Sequence, residues 1–142
     1  MPTRKKFVAG NWKMNLDHVE AIHLVQQLAL KLRAMEAGEV EVAVYPPFTD
    51  LRSVEGIIGA DKLPIKLGAQ HCSPHSAGAF TGEVSPVMLR EVGCDWCIVG
   101  HSERRQYFCE TNETVNRKAK ALMQNDIMPI ICVGETLEER EG

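Results

Sequence analysis

The stretch CIVGHSERR, residues 97–105, begins as an apolar strand and ends in glycine, histidine, serine and glutamate. That order places an imidazole, His101, at the carboxyl end of a strand and at the start of a short helix. A second stretch, AGNWKMN at 9–15, closes the first strand with Asn11 and Lys13. Together they describe one wall of a small-molecule site at the mouth of an α/β sheet, where ligands bind beyond the carboxyl ends of parallel strands.

Outward from these stretches, strand and helix signals alternate strictly. Residues 7–11 read as the first strand. Asp17 with Glu20 forms a capping box, and Val19, Ile22, Val25, Ala29 and Leu32 then recur at helical spacing to about Arg33, with Gly38 as the break. VEVAVY (40–45) is the second strand, ended by PPF, and a short helix is expected near 50–58. Residues 65–69 are the third strand. A long polar, glycine-rich loop follows to Ser85, whose hydroxyl caps a helix begun by Pro86. CDWCIVG (94–100) is the fourth strand, 112–124 a helix, and MPIICVG (128–134) the fifth strand, followed by a second capping box at Thr136 and Glu139. Strands joined by helical crossovers imply a parallel arrangement with right-handed connections. This periodicity alone fits a partial barrel and an open Rossmann-like sheet equally well.

Composition narrows the class. The 142 residues are 44% hydrophobic and 6% aromatic with a formal net charge of −3, which suits a core-forming chain and not one that coats nucleic acid or an anionic membrane. The opening MPTRKK leads into a strand and not an apolar signal core, and no run approaches the roughly 18 apolar residues of a membrane span. Five cysteines, an odd number, fit a reducing compartment, so cytoplasm is the default. Cys94 and Cys97 have metal-pair spacing, but strand alternation would send residues three apart to opposite faces, and no zinc site is expected.

Individual residues carry competing readings. Lys13 is either a solvated surface charge or an ammonium that attracts a phosphate dianion and offsets charge on a substrate oxygen. Asn11 either donates to a substrate oxygen or stabilises its own loop. The ring of His101 meets the first free N–H groups of a short helix, a positive field that disfavours imidazolium, while Ser102 reads equally as a plain helix cap. Glu103 either orients Lys13 or relays protons near it, or pairs with Arg104 or Arg105. The loop from His71 to Glu83 lacks the glycine spacing of a phosphate cradle and, by itself, reads as a surface loop. Cys132 reads as a packed thiol, Glu135 as a helix-start carboxylate, and His18, His23 and His75 as surface or packing residues.

AGNWKMN, GAQHCSPHSAGAFTGEVSP (68–86), CIVGHSERR and PIICVGETLEER (129–140) occur in that order, and the chain resembles triosephosphate isomerase along its whole length. The resemblance implies a partial TIM (β/α)8 barrel, with 1–142 as one incomplete domain carrying the first five units and no second domain. A complete barrel of this kind needs about 250 residues. In the family the catalytic glutamate follows the sixth strand and the main phosphate-binding loops come later, so the isolated 142-residue chain is expected to be inactive. The resemblance further implies interconversion of dihydroxyacetone phosphate and D-glyceraldehyde 3-phosphate through an enediolate, with no cofactor and no metal. Asn11 and Lys13 would bind substrate, His101 would act as a neutral electrophile and proton shuttle, and Glu103 would support them. Ala79, Phe80, Thr81 and Gly82 would form a finger reaching the active-site wall of a partner subunit in a homodimer. Two other readings stand beside this one: a non-catalytic fragment serving as an assembly or interaction module, and another phosphate-handling isomerase barrel. Neither nucleic acid nor membrane is an expected partner.

Overall fold

A computed structural model describes residues 4–33 and 40–142. The helix break assigned to Gly38 lies outside the described residues. Strand β1 spans Lys6–Asn11 and helix α1 His18–Arg33. At the start of α1 the Asp17 carboxylate accepts the Glu20 N–H at 3.0 Å while the Glu20 carboxylate accepts the Asp17 N–H at 3.0 Å, which is the reciprocal cap read from the sequence. Strand β2 (Val40–Tyr45) is followed by a 3-10 turn (Phe48–Asp50), helix α2 (Leu51–Ala60) and strand β3 (Lys66–Ala69). Helix α3 (Pro86–Val92) starts with the Ser85 hydroxyl accepting the Met88 N–H at 3.2 Å and with proline in its first turn. Strand β4 (Trp96–Val99), helices α4 (Ser102–Phe108) and α5 (Asn112–Met123), strand β5 (Met128–Ile131) and helix α6 (Leu137–Glu141) complete the described elements. The capping box at Thr136 and Glu139 is present. Strands β4 and β5 end at Val99 and Ile131, earlier than the apolar runs suggest, although the Cys132 N–H still donates to the Val99 carbonyl at 3.0 Å.

The five strands are all parallel and lie side by side in chain order, β1-β2-β3-β4-β5. An open doubly wound sheet reverses its strand order at a switch point; this sheet never does. It curls through 226°. A sheet of five parallel strands that curls this far without closing is part of a barrel, with room left in the turn for the remaining strands of an eight-stranded one.

Two apolar layers follow from the curl. Outward-facing strand residues such as Val44, Leu67, Ala69, Cys97 and Val99 pack under the helices against Val25, Val54, Leu89 and Leu122. Inward-facing Ala43, Tyr45 and Ile98, with Phe7, Trp96 and Ile130, form the start of a barrel interior. Gly68 is required in that interior: a Cβ there would sit 2.1 Å from the Tyr45 ring, so the tyrosine lies directly across the β3 backbone. Burial pushes the Tyr45 phenol well above its usual range.

Cys94 departs from the alternation argument. It precedes β4 and does not belong to it, so it enters the same helix-facing core as Cys97. Burial raises both thiols, Cys94 to about 12, which keeps them protonated and poor metal ligands. Among the described residues no group of three or more His, Cys, Asp or Glu side chains is arranged to hold a metal ion.

Candidate active site

The carboxyl ends of β1, β3 and β4 bring the sequence-singled residues to one edge of the sheet. Lys13 lies just past β1 in the left-handed region, φ 56°. For a residue with a Cβ that conformation costs roughly 1–2 kcal/mol. Two side chains hold it there. The Asn11 carboxamide oxygen accepts the Lys13 N–H at 2.9 Å, and the Gln70 amide donates to the Lys13 carbonyl at 2.7 Å and to the Tyr45 carbonyl at 2.8 Å. Gln70, which sequence reading passed over, thus ties the ends of β1 and β2 to the residue following β3. Its only local signal is its place at the end of the run GAQ.

For Asn11 the structure shows the loop-stabilising contact. Its oxygen stabilises the turn, which leaves its NH2 as the group it can offer outward. From the Lys13 turn the side chain reaches across the sheet mouth, and its ammonium donates to Glu103 Oε1 at 2.6 Å. That bond holds the Glu103 carboxyl below the usual carboxylate range. Of the partners weighed for Glu103, the structure selects Lys13. Arg104 instead makes a charge contact with Glu110 at 3.2 Å and lies over the Phe108 ring at 4.5 Å, while Arg105 turns back toward β4 and β5.

His101 is the cap of α4. Its Nδ1 accepts the Glu103 N–H at 3.2 Å and lies 3.6 Å from Glu103 Oε2. A ring nitrogen that accepts from a backbone N–H carries no proton, so the imidazole proton sits on Nε2. A cavity of about 320 Å³ is lined by Asn11, Lys13, Gln70, His71, His101 and Glu103, among others. A second, of about 820 Å³, opens between His101 and the segment after β5, including Cys132 and Glu135. Glu135 on that side is exposed and lies 3.6 Å from Arg140. Cys132 is half-buried, and burial raises its thiol.

The loop between β3 and α3 is braced at its base. The Ser73 N–H donates to the Val84 carbonyl at 2.8 Å, and the rings of His75 and Phe80 stack 4.1 Å apart and 6° from parallel. Its tip, Ala79, Phe80, Thr81 and Gly82, is exposed.

His71 introduces a pH dependence. Its ring packs on Phe48 with centroids 4.9 Å apart, and its Nδ1 is buried without a hydrogen-bond partner. Burial, then the charges of Arg104 and Lys118, lower its pKa from 6.5 to about 4, against a smaller upward pull from Glu110. The lowered folded value fixes the sign. Above pH ~6.5 neither state is protonated and stability is full, whereas between pH ~6.5 and ~4 the unfolded chain gains a proton the folded chain refuses. Stability should fall by up to about 3 kcal/mol across that window. Urea unfolding of His71→Asn at fixed protomer concentration should show a shallower acid loss than the parent; parallel curves from pH 7 to 4 would reject the assignment.

Comparison with known proteins agrees with this architecture. Residues 6–142 match the sequence profile of the family described as triosephosphate isomerase. The chain is 56% identical over 139 residues to a triosephosphate isomerase of Saccharopolyspora erythraea, covering 98% of this chain and 53% of that protein. It is 55% identical over 142 residues to one of Streptomyces coelicolor, covering 100% of this chain and 55% of the relative. The crystal structure of triosephosphate isomerase from Bartonella henselae superposes with a TM-score of 0.89 at 36% identity, over 97% of this chain and 55% of that one. The chain therefore spans about half the length of the relatives it matches. With the profile matching nearly every residue, the strands in sequential parallel order and the curvature that of a partial eight-stranded barrel, the chain belongs to the triosephosphate isomerase family.

Proposed function

We propose that this chain is the amino-terminal part, one incomplete barrel domain, of a triosephosphate isomerase that interconverts dihydroxyacetone phosphate and D-glyceraldehyde 3-phosphate. The observation that carries the reading is the Lys13–Glu103–His101 cluster at the carboxyl edge of the sheet. The Lys13 ammonium attracts the phosphate dianion and offsets charge that builds on the substrate oxygen. Glu103 holds that ammonium above the cavity, while its backbone N–H fixes His101 with the proton on Nε2. That Nε2–H donates to the carbonyl oxygen and takes part in moving the oxygen proton, and the Asn11 NH2 is a second donor to the same region. Removal of the carbon proton falls to a carboxylate that, in the family, follows a later strand than those described. No cofactor is needed for this chemistry. Turnover of either triose phosphate by the full-length protein in a coupled assay is the expected result, and a folded full-length protein without turnover would remove the reading.

The protein is proposed to act as a cytoplasmic homodimer, with neither nucleic acid nor membrane as partner. Among the described residues no helix is long and apolar enough to cross a membrane. The exposed tip at Ala79–Gly82, carrying the Phe80 ring on a braced loop, is the surface offered to a second subunit. Deleting residues 79–82 should give a weakly active monomer. Sedimentation and turnover measured together check this, and a fully active species of monomer mass would sink it.

A further inference from the structure

We propose that Arg105 is a positioning residue for His101, clamping the peptide from which the catalytic histidine hangs to the end of β5. The proposal rests on the isomerase reading above. Arg105 Nε donates to the Gly100 carbonyl at 2.9 Å, Nη1 to Asn112 Oδ1 at 2.8 Å, and Nη2 reaches the Cys132 carbonyl at 3.5 Å. One guanidinium thus joins the exit of β4, the start of α5 and the exit of β5. Its planar fork holds three acceptors at once, which the single ammonium of a lysine does not reproduce.

The peptide it grips is itself constrained. Gly100 has φ 69°, and a Cβ there would lie 2.8 Å from Val115 Cγ2 and 2.9 Å from Arg105 Nη2. The left-handed turn and the arginine together demand glycine. With the Gly100 carbonyl held, the next peptide plane is fixed, and His101 (φ −54°, ψ 141°) presents Nδ1 to the Glu103 N–H. Arg105 and His101 also line the same cavity of about 820 Å³ beside Cys132, so the clamp sets the distance between the histidine and whatever enters beside β5. Arg105 acts through His101 and makes no reaction step of its own.

The test uses the full-length protein with Arg105→Ala and Arg105→Lys, read by steady-state kinetics and by 15N NMR of labelled histidine. Arg105→Ala should lower kcat about 10²-fold while KM changes less than about 3-fold, because the histidine is misplaced and uniform binding is retained. Arg105→Lys should recover only a small part. The His101 nitrogen signals should move toward averaging between the two tautomers. Should Arg105→Ala fail to fold, Asn112→Ala, which removes one acceptor of the fork and leaves His101 untouched, should still lower kcat about 3- to 10-fold and shift the same signals. Unchanged kcat and unchanged His101 signals in a folded variant would overturn the proposal. Absence of isomerase activity in the parent would instead defeat the function, and the NMR comparison would still report whether Arg105 positions the ring.

Discussion

Replacing Lys13 by alanine in the full-length protein should lower kcat/KM by about 10²- to 10³-fold, the loss usual for a donor aimed at developing charge. The ammonium lines the cavity and lies 2.6 Å from Glu103, and its removal leaves that carboxylate to repel a phosphate dianion. A second effect separates chemistry from folding. Residue 13 has φ 56°, so Lys13→Gly should relieve backbone strain that Lys13→Ala retains and be more stable than it by about 1 kcal/mol. Both variants should be comparably inactive. Equal stability of the two would contradict the strain argument, and unchanged turnover in either would remove Lys13 from the mechanism.

The chain 1–142 by itself should turn over triose phosphate at least about 10⁴-fold more slowly than the full-length protein. Two deficits coincide. A general base is commonly worth 10²- to 10⁴-fold, and among the described residues no carboxylate faces His101 from the opposite wall except Glu135, which is exposed and beside Arg140. The second deficit is closure. Within the described residues β1 and β5 each have a single neighbouring strand, and Val8, Met128, Ile131 and Val133 are exposed near those edges. Unpaired edges carrying apolar side chains favour self-association, and an open interior admits the water that the complete site must exclude. The isolated chain should therefore elute as associated species or be partly unfolded. A monodisperse, active monomer would refute both parts.

What the sequence made legible divides by distance along the chain. The caps at Asp17, Ser85 and Thr136 join residues three apart, and propensity with local hydrogen bonding decides them, so they were readable before any coordinates. The placement of Asn11 at the end of β1 and of His101 just past β4 was also readable, although β4 stops at Val99, one residue short of the apolar run. The partner of Glu103 was not: Lys13 is 90 residues away, while Arg104 and Arg105 are adjacent and equally basic. Gln70 reaches Lys13 across 57 residues and Arg105 reaches Cys132 across 27, contacts that exist only because strands distant in sequence are brought side by side in the sheet. The choice between barrel and open sheet belongs to the same class, since both share one periodicity and differ only in strand order and curvature. The Cys94 alternation argument failed on a boundary: Cys94 lies two residues before β4, where the pleat no longer dictates which way a side chain points.

The most direct test of the account is a coupled isomerase assay on chain 1–142, verified by intact mass, alone and mixed with a separately made carboxyl-terminal complement. This chain is held to supply one wall of the site, with Asn11, Lys13 and His101, and to depend on a base and closing strands from elsewhere. The account predicts no appreciable turnover by the chain alone, and recovery with the complement that disappears when the chain carries His101→Ala. Near-normal turnover by the chain alone would contradict it.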